Sequence, residues 1–142
     1  MATPFTNSPH PKVRRQVFAL SYELITTITI LFSSGFFVTA IVGGSEAKSL
    51  KVITNVIPIV TVLLYYIVCW SKTGQSLAQK AWGLKVTDKN GDLLSLTKSI
   101  KRVFLSGVLN LLGISLIVLL FSKNHQPLQD QLLDTIVTSL ED

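Results

Sequence analysis

One carboxylate stands out in the stretch "RRQVFALSYELITTITILF", which runs from Arg14 to Phe32. Glu23 lies eight residues past Arg15, where the chain has already become apolar. Ionisable groups inside membrane helices are rare, and they mark ion or proton pathways or buried pairs. Three readings are open. Glu23 is a titrating group on a transport path, or half of a structural ion pair inside a helix bundle. Alternatively it sits about 12 Å of helix beyond Arg15 and reaches the headgroups. Arg14 and Arg15 are by default topology anchors. The neighbouring hydroxyls of Thr26, Thr27, Thr29, Ser33 and Ser34 are expected to bond back to their own helix or to a neighbour.

Asp130 and Asp134 are four residues apart on a short helical pattern and share a face; for Asp134 a solvated face is expected. Enzyme chemistry has no candidate. His10 and His125 stand outside any Cys or carboxylate cluster at metal spacing. There is no G-x-S-x-G elbow, and "GQSLAQK" lacks the G-K-[ST] end of a phosphate loop. No cofactor or metal site is expected. Cys69 is the sole cysteine, so a disulfide within one chain is excluded.

The elements that position these residues are set by an uneven charge distribution. Charged residues make up 15% of the chain and hydrophobic ones 48%. The runs 24–45, 52–71 and 103–122 contain no charge at all. About 20 apolar residues in a helix cross a bilayer core of roughly 30 Å. The expected fold is therefore an all-α, multi-pass membrane protein with about three transmembrane helices, near 16–42, 52–71 and 98–122. The first run is too long for a signal-peptide core, and more spans follow it. Residues 1–11 form a flexible tail, and Gly43-Gly44-Ser45 ends the first span. Asn55 and Pro58 fall early in the second span, and Tyr65, Tyr66 and Trp70 form an aromatic belt near its far end.

The loop 72–97 is polar and basic. From Lys72 to Arg102 there are seven Lys or Arg against two Asp. The positive-inside rule places this loop and the N-terminus in the cytoplasm. The net charge of +5 sits beside the spans, which favours anionic lipid over nucleic acid as a partner. Within the loop, "GQSLAQKAW" is a short helix candidate. "WGLKVTDKNGDLLSL" reads as a small β-hairpin turning at Asn90-Gly91. Thr97 is a candidate N-cap for the next helix. The third run either crosses once or breaks at Gly113 and returns. A short amphipathic segment then starts at Pro127 and becomes β-branched over Thr135 to Thr138. That stretch has the composition to pair with the hairpin if the chain returns.

In order and spacing these pieces resemble the RDD family of small bacterial integral membrane proteins, over 12–138, with 139–142 as a C-terminal end. The family's loop, G-Q-[ST]-x-G-K-x-x-x-G-[LI]-[RK]-V, is matched by GQSLAQKAWGLKV through Gly74, Gln75, Ser76, Gly83, Leu84, Lys85 and Val86. Ala78 and Gln79 depart from it. The closing pattern Q-x-L-H-D-x-L appears as QPLQDQL, with Gln129 in place of His and Asp130 as the last family Asp. The family's first Asp falls seven residues after its Arg. Counting from Arg15, that position is Tyr22, and the acid is Glu23 instead. The resemblance implies a bacterial inner-membrane protein with a cytoplasmic tail. It also implies a charged cluster of Arg14, Arg15, Glu23 and Asp130 at the cytoplasmic end, with an arginine holding Glu23. The resemblance suggests transport, and with Glu23 as the titrating group the expected function is transport of a cation or small ligand coupled to protons. The alternative is a membrane anchor or assembly protein that binds a partner or anionic lipid through its basic loop. Three helices make a thin pathway, so a homo-oligomer is expected for transport.

Overall fold

The computed structural model describes residues 11–42, 48–121 and 128–140. Expectations at His10, Gly43 to Ser45, His125 and Pro127 lie outside them. The first apolar run gives α1 (Val13–Val42), and the second gives α2 (Lys48–Lys72) with Pro58 inside it. Both are long and apolar enough to cross a membrane. Thr27 meets Tyr66, and the space at Gly35 is closed by Pro58, so the two helices run antiparallel. Their flanks carry exposed Leu, Ile, Val and Phe side chains such as Leu24, Ile28, Phe36 and Val60. Water would penalise that surface and lipid would not. Four of the five hydroxyls singled out behave as expected. Thr26, Thr27, Thr29 and Ser34 each donate to a carbonyl one turn back.

After α2 the chain forms α3 (Leu77–Ala81), which matches the short helix candidate. It then forms β1 (Leu84–Asp88) and α4 (Leu96–Leu111). Ser95, not Thr97, caps α4; its side chain accepts from the Lys98 N–H. The third apolar run is broken. α4 is capped by Leu112, Gly113 takes a left-handed φ of 67°, and α5 (Ile114–Phe121) follows. Of the two readings of the third run, the break at Gly113 holds: the span placed near 98–122 is two shorter helices joined at the one residue type that adopts this φ without steric cost.

α6 (Leu128–Leu133) and β2 (Thr135–Ser139) complete the order. The expected local hairpin does not form. A tight turn is present, with Gly91 N–H donating to the Asp88 carbonyl at 2.9 Å. Past that turn, however, Leu94 enters the core and Ser95 already caps a helix, which leaves no length for a strand. β1 pairs instead with β2, antiparallel, with Val86 opposite Val137. The β-branched run at the tail is the better strand former, and the Gly113 break lets the chain return to offer it. Leu84, Val86 and Val137 join Trp70, Tyr66, Ala19, Leu94 and Val103 in the core. That core lies at one end of the bundle, where the start of α1, the end of α2, the loop and the tail meet.

Candidate functional site

Two polar stripes face each other at this end. On α1, Gln16, Ala19, Glu23 and Thr27 recur at helical spacing; on α4, Arg102, Ser106 and Asn110 do the same, with Gly113 just beyond its end. All eight line a cavity of about 600 Å³, together with Tyr66 and Trp70 of α2 and Asp130 of α6. The remaining wall is largely apolar, from residues such as Leu20, Leu24, Val62 and Val103.

The cavity floor is an ion pair. Arg102 Nη1 contacts Asp130 Oδ1, and both side chains are almost wholly buried, 3% and 0% exposed. Thr135 locks the pair from the strand. Its hydroxyl accepts from Arg102 Nη1 at 2.9 Å and donates to Asp130 Oδ1 at 2.7 Å. The guanidinium also lies over the Trp70 ring, 4.8 Å from its centroid. Burying two charges is costly unless they are paired and hydrogen-bonded, and here they are. Yet Asp130 Oδ2, Arg102 Nε, Ser106 Oγ and Glu23 Oε1 are buried with no hydrogen-bond partner among the described residues. Such atoms are exceptions in folded chains, and here all four belong to side chains that line one cavity.

Glu23 is therefore held, but not by the arginines next to it in sequence. The groups that act on its carboxyl are the Arg102 charge and the Ser76 side chain. Arg15 reaches Ser139 Oγ at 2.9 Å, across to the end of β2. Arg14 lies over the ring of Phe18, 5.7 Å from its centroid. Of the expected cluster, the structure brings Glu23 and Asp130 to one cavity and directs Arg14 and Arg15 to other partners. Arg102 takes the place foreseen for them. Asp134 is exposed as expected and pairs with Lys89.

The loop that holds Ser76 is built tightly. Gly74 has φ 71°, its carbonyl accepts from Val86 N–H at 2.8 Å, and an added Cβ would meet the Val86 carbonyl oxygen at 2.7 Å. Gln75 Nε2 donates to the Leu84 carbonyl at 2.8 Å. Ser76 and Gln79 form a reciprocal capping box, and Gln79 Oε1 also accepts from Trp70 Nε1 at 3.0 Å. Tyr65 Oη accepts the Leu77 N–H at 3.0 Å. One short helix thereby joins α2, β1 and the cavity.

A model of the RDD family matches residues 10–134, most of the chain, and ends just before Thr135 and β2. The chain belongs to the RDD family. No curated protein and no solved structure matches it. The RDD loop pattern now has a physical content. Gly74 permits the crossing with β1, Gln75 ties the loop to the strand, Ser76 caps α3, and the Gly83 carbonyl accepts from Leu140 N–H at 2.8 Å beyond β2. Gln79, where the RDD pattern has Lys, is the second half of the capping box. With two apolar helices, RDD membership makes this a membrane protein.

Proposed function

We propose that this protein exchanges a cation for protons across a bacterial inner membrane, with Glu23 as the group that holds one or the other. The observation that carries this reading is the charge count of the cavity. With Glu23, Asp130 and Arg102 all ionised, the site is left with one negative charge. A low-dielectric site disfavours net charge, so it is neutral with one proton or one monovalent cation but not with both. Mutually exclusive binding of this kind is the requirement for exchange. The basic excess around 72–102 supports a cytoplasmic N-terminus, loop and tail. On this reading the chain is multi-pass, with α4 and α5 entering and returning, and a second copy completes the thin path.

A second reading has one specific support. Lys12, Arg14, Lys72, Lys80, Lys89 and Lys101 are exposed near the loop end of the bundle, which suits a membrane anchor that binds anionic lipid or an acidic partner. Proton flux driven by a gradient of Na⁺, K⁺ or an organic ammonium cation in proteoliposomes separates the two. Exchange predicts flux in the wild type and its loss in Glu23→Gln protein that inserts and melts normally. No flux in the wild type with any cation tried sinks the exchange reading and leaves the anchor.

A further inference from the structure

We infer that the cation this cavity takes is a protonated primary or secondary amine on an apolar body, rather than a bare metal ion. The inference rests on reading the cavity as the exchange site and adds the class of its substrate. Size is the first argument. At about 600 Å³ the cavity falls within the roughly 300–1,000 Å³ range of small-molecule sites, and a lone alkali ion would leave most of it empty.

Wall chemistry is the second argument. Leu20, Leu24, Val62, Leu63 and Val103 offer nothing to an ion but would bury a hydrocarbon or aromatic body. Among the polar side chains of the wall, three carry a buried oxygen with no partner among the described residues: Glu23 Oε1, Ser106 Oγ and Asp130 Oδ2. Hard cations of the calcium and magnesium type need six or more oxygens. Among the described residues no group of three or more His, Cys, Asp or Glu is placed to hold a metal. Asp130 Oδ1 is already taken by Arg102 and Thr135. Three acceptors without donors match the two or three N–H groups of an ammonium head, and the residual negative charge matches its positive one. A quaternary or phosphonium cation carries the charge but leaves the acceptors unfilled, which is costly for buried oxygens.

Proton competition follows, because an amine head and a proton need the same carboxylate. The ionisable groups around Glu23 are Arg102 of α4, Asp130 of α6, and Tyr65, Tyr66 and Cys69 of α2.

Isothermal titration calorimetry on the detergent-solubilised full chain tests the inference with 2-phenylethylammonium, 2-phenylethanol, tetraphenylphosphonium and NaCl. The ammonium is expected to bind about 10- to 100-fold more tightly than the alcohol, the range set by a hydrogen bond to a charged group. Glu23→Gln should remove that preference and leave the weak binding of the alcohol in place. Ser106→Ala, a milder change, should lower ammonium affinity alone. Equal affinity for ammonium and alcohol would overturn the proposal, since the cavity would then be an apolar crevice. Equal or tighter binding of tetraphenylphosphonium, or saturable Na⁺ binding that the amine does not displace, would also overturn it. Glu23-dependent amine binding without proton flux in liposomes upholds the ligand class and removes the transport reading. Na⁺-driven flux unaffected by the amine does the reverse.

Discussion

Arg102 and Asp130 are each other's solvation. Removing one partner leaves a buried charge uncompensated, which costs about 3–5 kcal/mol. Arg102→Met is therefore expected to lower the melting temperature of the purified protein sharply. Asp130→Leu should do so too, while the double variant recovers much of the loss; simple additivity of the two would show that the pair is not coupled. At the surface, Asp88 behaves differently. A hydrogen bond from Lys98 holds its carboxyl below the usual carboxylate range. The folded pKa is the lower one, so the stabilisation is present above the unfolded pKa near 4 and is lost as pH falls through the folded pKa. Because the pair is partly exposed, Asp88→Asn should cost less than about 1 kcal/mol at neutral pH and nothing in strong acid. Melting curves of both proteins against pH give the comparison. Glu23 is legible in the sequence as a candidate because a carboxylate in an apolar run stands out, and Asp130 through the closing pattern QPLQDQL. Arg102 was not singled out. It counts as one more loop-end cation until Ser99, Arg102, Ser106 and Asn110 are seen to share a helix face. That spacing is in the sequence, but the partner that gives it meaning lies on α6.

At the scale of elements, α1, α2 and α3 follow from local signals: long charge-free runs, and a Ser-x-x-Gln start that forms a capping box. The hairpin failed for a non-local reason. Asn90-Gly91 does turn, but the strand that satisfies β1 comes from nearly fifty residues later. Local turn chemistry cannot choose between two candidate partners; the β-branched composition of the tail and the hinge at Gly113 do. The loop before β1 gives a test at this scale. Gly74→Ala must be accommodated against a backbone carbonyl at a left-handed φ, and strain of this sort costs about 1–3 kcal/mol. Gly35→Ala in α1 meets only Pro58 Cγ at 3.7 Å, an ordinary contact, and should leave the melting temperature unchanged or slightly raised. Equal behaviour of the two variants would contradict the role given to Gly74.

For the whole molecule, the decisive feature is that the tail comes back. Only a returning chain places Asp130 in the cavity and β2 beside β1, and Lys85 is paired with Thr138 in that register. Cysteines at these two positions, in a Cys69→Ala background, should cross-link in native membranes under mild oxidation. A free pair, with the tail labelled from the side opposite the loop, would contradict the return. The central claim is that the Glu23 carboxylate holds either a proton or a cation. Proton release on cation addition measures this directly. Purified protein in weakly buffered detergent would be titrated with NaCl, KCl or 2-phenylethylammonium chloride and followed with a pH indicator. The wild type should release protons in proportion to the cation it binds, and a Glu23→Gln protein with an unchanged melting temperature should release none. Cation binding without proton release, or release that survives Glu23→Gln, would contradict the claim.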